Sequence, residues 1–236
     1  VRTASALDSP HVVRVLDVGG EDAALPYLAM ERLEGDDLAS VLRHRGPLPL
    51  RDVVELVVQV CEGLAVAHAA GIVHRDLKPQ NLFLGRAGDR DRWTILDFGI
   101  AKVGPSVTDD AATGASLVGP PTYMAPELVR GETFDARVDL YALTAVVYRA
   151  LTGEPVFGGA DVPSVLRDVV ETMPRHPGEL RELPDDVVAV LRIGLAKEPA
   201  DRFEDARAMA DAMRSAARGE LSQALRQRAR ALTQAR

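Results

Sequence analysis

The chain is short of sulfur, aromatic rings and positive charge, and each shortage excludes something. Only one cysteine, Cys61, occurs in 236 residues. That rules out an internal disulfide framework and leaves no thiolate cluster for a metal. Aromatic residues make up 4% and the formal net charge is −7. With a pI near 5.3 there is no global field favouring nucleic acid. No apolar run approaches the roughly 18 residues of a membrane span. The chain opens Val1-Arg2-Thr3, with neither an initiator Met nor a signal-peptide pattern. Hydrophobic residues at 47% and charged ones at 27% sit in the globular range. These numbers point to a folded protein of a reducing compartment, read as part of a longer chain.

Patterning divides the chain. Val12 to Val18 is β-branched and roughly alternating, Gly19-Gly20-Glu21-Asp22 is turn chemistry, and Leu25 to Met30 is a second apolar run. The spacing predicts an antiparallel hairpin, which is marginal alone in water. From Glu34 the texture becomes helical. Gly35-Asp36-Asp37 precedes a short helix over Leu38 to Arg45. Val53, Leu56, Val57, Val60, Leu64 and Ala67 then mark a long amphipathic helix closed by Gly71, with Cys61 as a small core residue. Asp139 to Thr152 is apolar nearly all round, with Arg149 the one charge after Asp139, so a helix buried on every side is expected there. Three more helices are predicted near 164–172, 185–196 and 204–216. After Gly219 the basic residues Arg226, Arg228, Arg230 and Arg236 face one acid, Glu220. That tail reads as a solvated helical linker, with a basic patch for an anionic partner as the alternative.

Chemistry concentrates between the short apolar runs of residues 72 to 99. His74-Arg75-Asp76-Leu77-Lys78-Pro79-Gln80-Asn81 is followed by Asp97-Phe98-Gly99 and later by Ala125-Pro126-Glu127. Singly, Asp76 is a turn residue, Lys78 a solvated cation and Asn81 an Asx cap. As a set, in this order and spacing, they resemble the catalytic loop, magnesium loop and substrate-loop anchor of the eukaryotic-type protein kinases in their bacterial form. The resemblance runs from Val1 to about Ala216. It implies an α+β protein-kinase-like fold, with a mainly α-helical C-lobe and a remnant β-hairpin of the N-lobe. Residues 1–33 would be the end of the small lobe and the hinge, 34–216 the large lobe, and 217–236 a basic helical tail or linker.

The resemblance also assigns roles, and the residue types suit them. Phosphoryl transfer asks a protein mainly to position groups and neutralise charge. Asp76 is the candidate that accepts a hydrogen bond from a substrate hydroxyl, and Lys78 the cation that offsets developing charge. Asn81 and Asp97 are the candidate Mg2+ ligands, hard oxygens of the kind that ion takes with phosphate oxygens. Tyr27 to Gly35 resembles the hinge, with Met30 as gatekeeper, the backbone of Glu31 and Leu33 on the adenine edge, Phe83 under the ring and Asp37 near the ribose. The implied cofactors are ATP and Mg2+, and the implied partner is a protein bearing Ser or Thr hydroxyls. Thr108, Thr113 and Ser116 lie in a segment resembling an activation loop, where a phosphate would dock on Arg75. His74 and Phe98 are expected to pack under the site. Glu127 is expected to pair with Arg202, and Asp139 to accept hydrogen bonds from the catalytic-loop backbone. A cytoplasmic location follows, with room for a membrane anchor or a further domain beyond Arg236.

Two departures from the family pattern stand out. Gly119-Pro120-Pro121-Thr122-Tyr123 puts Pro120 where the family carries a hydroxyl, so the usual contact to the catalytic pair has no donor. The Gly-rich loop, the strand lysine and its helix glutamate are missing, and no Lys precedes Lys78. The chain as it stands is therefore expected to bind ATP weakly and transfer phosphate poorly or not at all. A pseudokinase scaffold is the alternative from another class. A small-molecule phosphotransferase is a third, disfavoured by the Ala-Pro-Glu anchor.

Overall fold

A computed structural model describes residues 7–19, 27–88, 90–98, 121–159 and 161–234. The predicted hairpin forms as β1 (Val15–Gly19) and β2 (Tyr27–Met30), antiparallel, with a register break between Val15 and Asp17. Leu16 and Tyr27 stay exposed on it. Backbone bonds from Val13 to Ile95 (2.9 Å) and from Ile95 to His11 (2.9 Å) fasten the segment before β1 to the rest of the molecule.

The residues before the first helix are not only a helix lead. Gly35–Asp37 is a strand, β3, in a sheet ordered β3-β4-β5 with β4 (Leu82–Ala87) and β5 (Arg90–Ile95), all antiparallel. Propensity opposes a strand of Gly-Asp-Asp; pairing with β4 overrides it. Gly35 is required: its φ is 142°, and a Cβ there would lie 2.0 Å from the Leu84 carbonyl oxygen. Helix α1 (Leu38–Arg45) follows directly, with Asp37 as its N-cap.

Helix α2 (Leu50–Ala69) buries Val53, Leu56, Val57, Val60, Cys61, Leu64 and Ala67 on one face. It ends in a Schellman turn. Gly71, at φ 73°, donates to the His68 carbonyl, and Ile72 donates to that of Ala67. Burial pushes the Cys61 thiol well above the ordinary thiol range, so it stays a protonated core residue.

After the short helix α3 (Pro126–Val129) comes the pillar, α4 (Arg137–Thr152). Every residue from Val138 to Thr152 except Arg149 is buried, each large apolar one adding about 1.5–3 kcal/mol of transfer free energy. A carboxylate at fully buried Val146 would have no partner. Helix α5 (Val162–Glu171) packs on α3 and the Pro121–Tyr123 turn, α6 (Asp185–Gly194) on α4, and α7 (Ala206–Ala217) on α2 and α6, all close to the predicted spans. Gly194 permits the approach of α6 to α4, since a Cβ there would meet Thr144 Oγ1 at 2.1 Å.

The tail departs from expectation. It is helical, as α8 (Gln223–Gln234), but it is seated on α6 rather than solvated. Arg226 makes two bonds to Asp186 (2.6 and 2.8 Å), the Leu221 N–H donates to the same carboxylate (3.1 Å), and Leu221 and Ala229 are buried. The hydrogen bonds and charge of Arg226 hold the Asp186 carboxyl below its usual range, against a smaller opposing effect of burial. Among the described residues, no helix is long and apolar enough to cross a membrane.

Candidate active site

The catalytic loop is fixed from below by one carboxylate. Asp139, in the first turn of α4 and fully buried, accepts from the backbone N–H of His74 (2.8 Å) and of Arg75 (2.9 Å). It also accepts from His68 Nε2 on α2 (2.8 Å). The expected scaffold role of Asp139 is thus seen in its bonds; the His68 contribution had no signal in the sequence. Three donors and a helix N-terminus are what a buried carboxylate needs.

His74 is completely buried and packs edge-on against Phe98, with centroids 4.9 Å apart. Its Nε2 donates to the Leu96 carbonyl (2.8 Å) and its Nδ1 accepts from the Asp76 N–H (3.2 Å). These partners select the Nε2–H tautomer. The Leu96 N–H in turn donates to the Asn81 carbonyl (2.8 Å). The strand end carrying Asp97 is therefore laced to the loop carrying Asp76 and Asn81.

Upon this frame sit the chemical groups. Lys78 Nζ lies 2.8 Å from Asp76 Oδ2. Asn81 Nδ2 donates to the Asp76 carbonyl (2.8 Å) and lies 3.4 Å from Oδ2. Among the described residues nothing bonds to Oδ1. Asp97 is exposed. Arg75 and Asp97 both hold positive φ, 65° and 51°, a conformation that costs a non-glycine residue about 1 kcal/mol or more. Arg75 lays its guanidinium over Phe134, 4.9 Å from the ring centroid.

The hinge-side group forms a second cluster. Asp37 and Phe83 are register partners across β3 and β4. Burial works to raise the Asp37 carboxyl, but bonds from Ser40 (2.8 and 3.0 Å) and the charge of Arg43 outweigh it and hold the group below its usual range. Met30 ends β2, partly exposed. The Glu31 N–H donates to the Arg14 carbonyl (3.0 Å), so of the Glu31 backbone groups the N–H is already in use. Leu33 is half-buried just before β3. Among the described residues no hydrogen bond joins this cluster to the catalytic loop. Thr108, Thr113, Ser116 and Pro120 lie outside the described residues.

Behind the site, Arg202 is fully buried and grips Glu127 with two bonds (2.6 and 2.7 Å). Its remaining donors reach the carbonyls of Ala196 (2.8 Å), Lys197 (2.9 Å) and Arg137 (3.3 Å), and its plane covers Tyr141. The expected pair is present, with both oxygens of the anchor carboxylate held. Arg228 of α8 donates to the carbonyls of Arg202 and Ala200, so the tail clips onto the same loop.

A helical body, a short hinge segment, and an Asp-Lys-Asn cluster laced to a strand-end aspartate define the class: a phosphotransferase-type large lobe of α+β architecture. The chain matches the protein kinase domain family over residues 1–213, and it belongs to that family. It is 35% identical over 233 residues to a probable serine/threonine-protein kinase of Corynebacterium efficiens, covering 95% of this chain and 35% of that protein. Against the serine/threonine-protein kinase PknB of Mycobacterium leprae the identity is 36% over 212 residues, 88% of this chain and 33% of that protein. The chain thus spans about a third of the length of these curated relatives. The crystal structure of the Mycobacterium tuberculosis PknI kinase domain superposes with a TM-score of 0.71 at 31% identity, covering 91% of this chain and 75% of that one.

Proposed function

We propose that the chain supplies the hinge and catalytic large lobe of a serine/threonine protein kinase, which moves the γ-phosphate of ATP to a Ser or Thr hydroxyl of a protein. The observation that carries this reading is the convergence of Lys78 and Asn81 on one oxygen of Asp76 while the other stays open. The open Oδ1 accepts the hydrogen bond of the substrate hydroxyl and orients its oxygen toward the phosphate. Lys78, 2.8 Å from Oδ2, brings an ammonium to where the transferred group gains negative charge. Asn81 locks the Asp76 backbone, so little reorganisation is left for the moment of reaction.

The donor set suits Mg2+: a carboxylate at Asp97 and a carboxamide at Asn81 are hard oxygen ligands, and the Leu96–Asn81 bond sets their backbones side by side. When bound, that ion neutralises part of the charge of the triphosphate. Met30, Glu31, Leu33, Asp37 and Phe83 serve the nucleoside end, with Phe83 and Asp37 paired in the sheet as base floor and ribose contact. Arg75 is the docking point for a phosphate on the segment holding Thr108, Thr113 and Ser116. A scaffold that only binds has no need of the Asp76-Lys78-Asn81 cluster.

The test is phosphate transfer from labelled ATP by the protein as encoded, wild type against Asp76→Asn. Loss of the base lowers kcat by about 10²–10⁴-fold. Equal turnover by the two proteins would remove Asp76 from its role.

A further inference from the structure

Beyond its first turn the central helix α4 carries one charged side chain, Arg149, and the place where that guanidinium emerges is a cleft. Arg149 Nη1 donates to Tyr123 Oη (2.7 Å), a residue of the turn at Pro121–Tyr123 that leads into the Ala125-Pro126-Glu127 anchor. Beside it opens a cavity of about 340 Å³, whose walls include Leu42 and Arg43 of α1, Pro47, Gln80 and Gly153. Gln80 lies between Lys78 and Asn81 in the catalytic loop, so the cleft begins at the edge of the site described above.

The charge of this cleft runs against that of the chain. Overall the molecule carries −7, yet the described walls hold two guanidinium groups, a carboxamide and no carboxylate. Arg43 has no hydrogen bond or ion pair among the described residues. Asp37, whose carboxyl feels the Arg43 charge, spends both oxygens on Ser40. Arg149 gives one bond to Tyr123 and keeps further donors free of protein partners among the described residues. Two cations with open donors around a carboxamide suit an anion. The acidic remainder of the surface is screened beyond about 8 Å at physiological ionic strength, so the local pair decides what enters.

We infer that this cleft is a specificity site that takes an acidic side chain, a carboxylate or a phosphomonoester, carried by the protein substrate close to its accepting hydroxyl. An extended chain advances about 3.3–3.6 Å per residue. Gln80 being next to Asn81, the recognised group sits within about three residues of the acceptor. Leu42 and Pro47 offer apolar wall to the methylenes of that side chain, while Arg43 and Arg149 bind its charge. The inference rests on the kinase reading above, whose failure shows separately.

The experiment is a peptide panel presented to the protein as encoded, with Asp, phosphoserine, Ala or Lys at each position within four residues of a single Ser or Thr. The expected result is one position at which an acidic residue exceeds Lys by about tenfold or more in kcat/KM. Arg43→Glu erases or reverses that preference, and Arg149→Lys keeps more of it than Arg149→Gln. Phosphoserine outrunning Asp at that position assigns a pre-phosphorylated substrate; the reverse assigns a plain acidic one. Equal rates for acidic, neutral and basic peptides at every position overturn the inference, as does a preference undiminished in Arg43→Glu and Arg149→Gln. Should no peptide be phosphorylated, the kinase reading is what has failed. The cleft is then judged by fluorescence anisotropy of labelled peptides. Tighter binding of the acidic peptide than of its alanine counterpart, weakened by Arg43→Glu and by salt, supports the site. Equal binding of the two refutes it.

Discussion

Two buried charges organise the large lobe, and they do opposite work. Asp139 is an acceptor that gathers N–H donors from the loop that carries the chemistry and from His68. Arg202 is a donor that grips a carboxylate and three carbonyls on the substrate side. Both sit at the start of α4, one as its third residue and the other bonded to the carbonyl of its first. An acceptor beneath backbone amides sets the shape of a loop; a donor beneath a partner of opposite charge sets whether the partner can be buried at all. The first should therefore weigh more on turnover and the second more on stability.

The largest expected effect is at Arg202. Arg202→Ala strands the Glu127 carboxylate, 1% exposed, and should cost about 3–5 kcal/mol in chemical denaturation, as removal of one partner of a buried pair does. Replacing both, as Arg202→Met with Glu127→Leu, should recover most of it. Asp139→Ala comes next. It leaves two loop N–H groups without their acceptor and should cost about 2–3 kcal/mol, with a loss of turnover out of proportion to that figure. If Asp139→Ala unfolds the protein more readily than Arg202→Ala while turnover is spared, the contrast between the two charges is wrong.

Smaller effects come from pH. Burial first, then the charges of Arg130 and Arg202, bring Lys197 down from 10.5 to about 8, while its ammonium caps the carbonyl of Val169 at the end of α5 (2.5 Å). Between about 8 and 10.5 the unfolded chain holds a proton that the folded one has released, so stability should rise with pH across that window. Lys197→Met should flatten that rise in a denaturation series. At the acid end stability again rises with pH, there because a favourable interaction is gained as the carboxyl ionises. The depressed Asp186 carboxyl stabilises the fold fully above its ordinary value near 3.9 and loses that contribution as pH falls through its lower folded value. The α8 amides should lose protection from hydrogen exchange there before those of α4, and Asp186→Asn should abolish the difference in pH dependence.

Much of this arrangement is legible in the amino-acid order. Helices α2 and α4 follow from apolar spacing, and the active-site cluster, the Glu127–Arg202 pair and the Asp139 contacts follow from motif resemblance. What escaped was long-range or context-made. His68 is 71 residues from Asp139, and nothing local to either joins them. Strand β3 is turn chemistry turned into a strand by its neighbour. Arg149 looks like an intruder in an apolar helix until the Tyr123 hydroxyl stands beside it. The seating of α8 did leave a trace, since Leu221, Leu225, Ala229 and Leu232 recur at helical spacing and are buried or partly so. The density of arginines on the same segment hides that stripe.

The torsions at Arg75 and Asp97 have a consequence for anyone who would improve this protein. Glycine accepts such angles without penalty, so either position would be a natural choice for a sturdier variant. Each exchange would forfeit the guanidinium or the carboxylate to which the proposed function gives a role. Robustness and chemistry thus compete at two identifiable peptide units, and a screen that rewards thermal endurance alone would drift toward a well-folded lobe that does nothing.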